Sequence, residues 1–370
     1  MTSNQARLTT GPVGTHLVKM TVPVFFGVFA MMLQGFADAF FIGMVGDREL
    51  AALSFAFPIL MIVTSVAIGL GAGTSSVVAR AIGANNVDRA ARLATDSLLL
   101  SFLITAAFCF VGILTIDFLF SALGAPSDMI PLIKEYMQVL YIGVPFVVVG
   151  MVGMSSMRAT GDTRLPSLLM IIASITNILL DPIMIFGFGP IPAMGLKGAA
   201  MAALIARGAI FLGTLYLMHE RIHMLSFRRP KLDELRSSWG DILHVGIPAA
   251  GTNAIIPIAT AVIIAMLAQY GTEAVAGFGV ASRIESLVLV MFYALSAVIG
   301  PFIGQNLSAA KAERIHAALR LCSRFCLLSG AVIAVFLLFF SDFLPSLFSK
   351  NPTVTETATL FLLIAPISYG

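Results

Sequence analysis

The chain has 370 residues, 58% of them hydrophobic and only 11% charged, with a mean hydropathy of +0.97 and a formal net charge of +3. A water-soluble chain carries charge on about a quarter of its residues, because its surface has to face water. So little charge excludes a soluble enzyme, a nucleic-acid binder and a disordered scaffold, and points to a protein whose main solvent is lipid.

About 20 apolar residues cross a bilayer as a helix. Taken in chain order, the apolar runs predict spans over 17–43, 52–79, 93–116, 133–157, 166–187, 196–218, 241–268, 275–303 and 321–344, with a tenth starting near 356. The leader MTSNQARLTTGPVGTH is short and polar, and the run behind it is longer than a signal-peptide core and lacks a small-residue cleavage pattern. It reads as a retained helix. Sixteen of the 22 Lys and Arg residues fall in the leader and in every second loop, whereas the alternate loops hold four, Arg48, Lys134, Lys197 and Lys350. The bias of basic residues towards one side predicts a cytoplasmic N-terminus in a multi-pass protein; the expected location is a bacterial-type inner (plasma) membrane. The cysteines, Cys109, Cys322 and Cys326, are too few for a disulfide framework and read as small packing residues.

Two parts of the chain look alike. VARAIGANNVDRAARLA at 78–94 resembles PFIGQNLSAAKAERIHAAL at 301–319, and KEYMQVLYIGVPFVVVG at 134–150 resembles ETATLFLLIAPISYG at 356–370. Gly83 matches Gly304 and Pro145 matches Pro366 at one common offset, while Pro23 matches Pro248 and Gly46 matches Gly271 at a second, slightly longer one. A duplicated six-helix unit follows. Six helices return the chain to its starting side, so the copies are parallel repeats related by an axis along the membrane normal. The predicted organisation is a first lobe over 1–219, a cytoplasmic linker over 220–240, and a partial second lobe over 241–370 containing helices seven to nine and the start of ten. The fold class is therefore an all-α polytopic membrane protein of two six-helix repeats, with the second lobe incomplete at about ten of twelve helices.

Five ionisable residues fall inside the spans: Asp38, Asp181, Arg207, Arg283 and Glu285. Each costs roughly 2.5–3.5 kcal/mol to insert at the bilayer centre and so needs a partner or a function. Asp38 in QGFADAFFIG and Asp181 in NILLDP lie at similar depth in the outer half of spans one and five, which run in the same direction. Asn177 is one turn before Asp181 on the same helix face. Pro182 leaves the Ile178 carbonyl without its usual helical donor. Two carboxylates, an amide and a loosened carbonyl suit either a hard cation or a proton. Neighbouring acids in a low dielectric repel, which adapts such a pair to loading and unloading a proton. Arg207 in span six, and Arg283 and Glu285 in span eight, are candidates for ion pairing within or between lobes, or for contact with substrate. Residues two apart on a helix do not face each other, so Arg283 and Glu285 should find partners elsewhere. Nineteen Met and 28 Phe supply adaptable apolar walls, as they would in any lipid-facing bundle.

With the strings FADAFFIG at 36–43, GAGTSSVVARAIGANN at 71–86, RATGDTRLP at 158–166, NILLDP at 177–182, GLKGAAMAALIAR at 195–207, SRIESL and IGQNLSA, the chain resembles the MATE (multidrug and toxic compound extrusion) family in its DinF-like branch. The resemblance implies a monomeric antiporter, without a cofactor, in which inward flow of protons or sodium ions drives cationic or amphipathic drug-like small molecules outward through a cleft between two lobes. It places the coupling-ion site, including any sodium, at Asp38, Asn177 and Asp181. Ala203 stands where the family's pattern has a threonine, which removes one oxygen ligand, and span seven carries no acid. A related alternative is a lipid-linked oligosaccharide or other lipid flippase, which would need a more basic cleft. An enzyme is not expected: HExxH and GxSxG motifs are missing, and His16, His219, His223, His244 and His316 all fall in or beside cytoplasmic segments.

Overall fold

Backbone polar groups in lipid have to be satisfied within the segment, so each apolar run folds as a helix. The computed structural model describes residues 6–369. Its long helices are α1 (Val13–Val45), α2 (Asp47–Gly83), α3 (Val87–Ala122), α4 (Ile130–Ala159), α5 (Arg164–Phe186), α6 (Gly195–Glu220), α7 (Leu232–Leu267), α8 (Thr272–Val288), α9 (Val290–Ser308) and α10 (Ala312–Phe340); the short α11 (Phe343–Ser346) and α12 (Pro352–Ile364) follow. Among the described residues, nine helical stretches are long and apolar enough to cross a membrane. Their outward faces are apolar as well, with Leu114, Phe118 and Phe339 at 70%, 76% and 81% exposure, a surface suited to acyl chains.

The eighth span, expected as one helix over 275–303, is two: α8 and α9 meet at Leu289, whose carbonyl accepts from Phe292 N–H three residues on, at 2.9 Å. α2, its repeat counterpart, runs through the corresponding position unbroken. The helix start signals lie further out than the apolar runs. Asn86 caps α3 by accepting from Arg89 N–H, and Asp162 accepts from the first amides of α5. Residues 232–240, expected in the linker, form the first turns of α7 behind Pro230, with Asp233 and Glu234 in its first turn. Acids there complement the helix dipole, and that signal outweighs the local polarity.

The repeat register also needs correcting. α2 and α8 start at Asp47 and Thr272, and α3 and α10 at Val87 and Ala312. The turns between them hold Asn85 at φ 57° and Ala310 at φ 55°. All three pairs keep the longer offset, that of Pro23 and Pro248. The counterpart of Gly83 is therefore Ser308 rather than Gly304, and Asp88-Arg89 corresponds to Glu313-Arg314. Matching glycine to glycine slips the alignment by one helical turn.

The first lobe, α1–α6, packs α2, α3 and α6 on α4, and α1 and α6 on α5. The turns after α2, α4, α6 and α9 gather with residues 6–12 at one end of the molecule, the leader-side face: Leu8 packs on Gly161, and Arg92 Nη1 donates to the Arg228 carbonyl. Near this face the lobes meet, α2 against α7 and α9, and α1 against α9. Leu8, Leu17, Met20 and Val24 pack there with Ala294, Val298 and Phe302. Backbones touch at two glycines. A Cβ on Gly73 would collide with the Ile242 carbonyl oxygen, and one on Gly83 with that of Gln305. Small residues permit this approach, which dispersion then stabilises.

Gly73→Ala should therefore destabilise the protein in detergent by about 1–3 kcal/mol, through overpacking against backbone that cannot retreat. Gly208→Ala on α6, where a Cβ meets nothing within 4 Å, is the control and should leave the thermal unfolding midpoint unchanged or slightly raised.

Candidate functional site

α1 presents Gln34 and Asp38 one turn apart, and α5 presents Asn177 and Asp181 with the same spacing. The two helices pack side by side and run in the same direction, so the four side chains form two rungs, amide opposite amide and acid opposite acid. Gln34 Nε2 donates to Asn177 Oδ1. Asn177 Nδ2 then donates to Asp181 Oδ1 at 2.9 Å. The carboxyls of Asp38 and Asp181 lie within hydrogen-bonding reach of each other. Two ionised carboxylates have no proton to share, and Asp38 Oδ1 and Asp181 Oδ2 are buried without a donor. One proton, or one cation, between the acids satisfies both.

Access differs between the two acids. Asn177 and Asp181 are fully buried, whereas Asp38 is half-buried. Pro182 follows Asp181 inside α5, so the helix lacks a backbone bond next to the acid. Asp38 also has a charged neighbour on a further helix, Arg207 on α6, and the neutral phenol of Tyr136 on α4 lies near both Arg207 and the acids. Gly143 on α4 makes room for this arginine, whose Nη1 lies 3.4 Å from the place a Cβ would take.

Asp38, Asn177, Asp181 and Arg207 thus come together in the first lobe. Arg283 and Glu285 stand apart from them in the second lobe and do not face each other. Arg283 is exposed, and Glu285 accepts from the Tyr369 hydroxyl at 2.7 Å. The sequence alone singles out neither Gln34 nor Tyr136. For Gln34 a signal exists, a lone amide in an apolar run, one turn before an intramembrane acid. Tyr136 has none, since aromatic residues are common in spans. Among the described residues, no three His, Cys, Asp or Glu side chains gather as a metal-binding group.

The MatE family model matches residues 23–183 and again 248–370, two blocks whose starts, Pro23 and Pro248, are repeat counterparts. The chain belongs to the MATE family. This is a family of multi-pass membrane transporters rather than enzymes. The chain is 40% identical over 363 residues to the FAD transporter of Shewanella oneidensis, covering 98% of this chain and 80% of that one. It is 24% identical over 362 residues to the multidrug export protein MepA of Staphylococcus aureus, covering 96% and 78%. Among solved structures it is similar to the Vibrio cholerae MATE transporter VcmN in the bent form, with TM-score 0.89, 31% identity and coverage of 96% and 80%. It is also similar to a MATE transporter described as outward-facing, with TM-score 0.90, 27% identity and coverage of 98% and 80%. The two-lobe arrangement read from the repeat is the MATE fold.

The amide rung should be structural as well as positional. Gln34→Leu strips the donor from the buried Asn177 carbonyl, at a cost of about 1–3 kcal/mol. A thermal unfolding midpoint equal to that of the parent protein would show that the rung carries no such strain.

Proposed function

We propose that the chain is a secondary active exporter in which protons entering through the acid pair drive an organic small molecule out by antiport. The observation that carries this reading is the apposition of Asp38 and Asp181, each with a buried oxygen that lacks a donor. The basic-residue bias supports a cytoplasmic leader-side face, which puts the pair in the external half of the membrane, where protons arrive. With the pair charged, the acids repel and Arg207 attracts Asp38; with a proton between them, the repulsion is gone and Arg207 loses part of its hold. Binding therefore has different energies in two arrangements of α1 against α5, which is the requirement for shifting a conformational equilibrium. Pro182 supplies the point where α5 can bend.

Proton coupling is favoured over sodium by the ligand count. Asn177 Oδ1 is already occupied by Gln34, and Ala203 offers no oxygen, so the side chains leave a sodium ion little beyond the two carboxylates.

Two cargo classes follow from two observations. The half-buried acid and the apolar walls suit cationic or amphipathic compounds, and several relatives are named for multidrug export or resistance. The 40% identity to a protein named for FAD favours a second cargo, a flavin dinucleotide. For that cargo, Arg207 would supply a guanidinium for phosphate and Tyr136 a phenol beside it. A lipid-linked pyrophosphate would need more basic side chains than this one arginine.

The test is transport by the full-length protein in vesicles under an imposed pH or sodium gradient, with a cationic dye and FAD as separate cargoes. A pH gradient should drive uptake or release of one of them, and Asp38→Asn and Asp181→Asn should each lower that rate by about tenfold or more. Rates equal to the parent's in both variants would remove the acid pair from the mechanism. A response to sodium alone would replace the proton, and a response to neither gradient would end the antiport reading.

A further inference from the structure

The motif IGQN at 303–306 and the polar leader play no part in the coupling site, yet they hold a dense polar network at the lobe boundary. Leu8, buried at 2% exposure, donates its N–H to Gln305 Oε1 at 3.2 Å. Its carbonyl accepts from Asn306 Nδ2 at 3.2 Å and from Arg314 Nη2 at 2.9 Å. Lys311 Nζ donates to the Thr9 carbonyl at 2.9 Å, and Arg314 Nη1 to that of Gly11 at 2.6 Å. Gln305 and Asn306 are themselves fully buried, and Gln305 Nε2 reaches the Ala159 carbonyl at the end of α4 at 2.7 Å. The segment leading into the first lobe is thus clasped by the α9–α10 corner of the second.

The converse holds on the other side. The segment leading into the second lobe is clasped by α3 of the first. Ser226 N–H donates to Thr95 Oγ1 at 2.8 Å, and Arg92 Nη1 to the Arg228 carbonyl at 2.5 Å. Trp239 Nε1 donates to the Asp96 carbonyl at 3.1 Å, and Arg89 Nη1 to Ser238 Oγ at 3.1 Å. Arg89 also lies 3.6 Å from Asp241. Arg89 and Arg314 are repeat counterparts, in the same register as Asn85 and Ala310. Each therefore reaches across to the lead-in of the opposite lobe.

We propose that these two crossed clasps are latches that hold the leader-side face shut and set how often it opens. The proposal rests on the transport reading, since only a transporter needs that face to open. Every bond named above joins a lead-in or helix end of one lobe to the other, at the face where α2 meets α7 and α9. Separating the lobes there requires both clasps to let go or to carry their segments with them. The clasping groups are charged, amide, hydroxyl and indole side chains, many of them on short backbone stretches, and water can replace their bonds once the face opens, so the latches can release.

The test measures distance in the full-length protein in lipid nanodiscs, with Cys109, Cys322 and Cys326 replaced and spin labels on Asp88→Cys and Glu313→Cys. These are exposed counterparts at the starts of α3 and α10. The parent should show one dominant short distance. Lys311→Met with Arg314→Met, which removes the cationic arms of the first latch, should raise the long-distance fraction by roughly threefold, as should Ser238→Ala with Asp241→Asn, which removes the partners of Arg89 in the second; the two effects should multiply in combination. The second pair lies at the start of α7 and leaves α3 intact, so it guards against misfolding in the first. Distance distributions identical to the parent's in the combined variant, with thermal unfolding still cooperative, would overturn the proposal and leave the clasps as static braces. The readout needs neither cargo nor gradient, so failure of the acid pair in vesicles and failure of the latches are separate results.

Discussion

A charge can stay inside a bilayer only where something answers it, and in the first lobe of this molecule one cluster of side chains meets that constraint. Asp38 and Asp181 face each other from α1 and α5, Asn177 donates to one of them, and Arg207 stands by the other. Four helices have to converge for this, α1, α4, α5 and α6. Close approaches bring them together: a Cβ on Gly198 would collide with the Met184 carbonyl oxygen, and Arg207 lies beside Gly143. The apolar faces, the small-residue seams and the turn geometry all serve to deliver these side chains to one depth.

The spans, the lobes and the acids are legible in the sequence because they follow from single strong signals: a run of apolar residues, a repeated spacing, a carboxylate where lipid forbids one. The remaining features need information about neighbours. The break at Leu289 carries no glycine or proline of its own, so nothing local announces it. The repeat register slips because GANN and IGQN invite a glycine-to-glycine match, whereas the left-handed turn falls on Asn85 and Ala310. The start of α7 is masked by polarity that belongs to a helix end, Asp233 and Glu234 next to its dipole. Gln34 matters only because Asn177 lies opposite it, a pairing that no spacing along α1 discloses.

α1 connects the two ends of the proposed cycle. Near the leader-side face, Leu17, Met20 and Val24 pack on α9 of the second lobe; further along the same helix, Gln34 and Asp38 pair with α5 of the first. The helix is continuous between them, with Pro23 inside it. In the proposed cycle α1 is the element shared by the acid pair and the seam that the crossed clasps hold, with Pro23 as a weak point in it. Coupling would further require two arrangements of this helix whose balance both sites bias.

The repeat makes the asymmetry of the acids informative. In the register that matches Asn85 with Ala310, the counterparts of Gln34 and Asp38 on α7 are Ala259 and Ile263, so the second lobe has no equivalent of the α1 half of the rungs. The clasps, by contrast, are kept on both sides, with Arg89 and Arg314 in corresponding places. Duplication thus preserved the device that joins the lobes and left the ionisable pair to one of them. If the acid pair is the coupling site proposed above, proton binding in one lobe has to become motion relative to the other. For that, the contacts between the lobes must be symmetric enough to part on both sides together, while the site itself needs no partner copy.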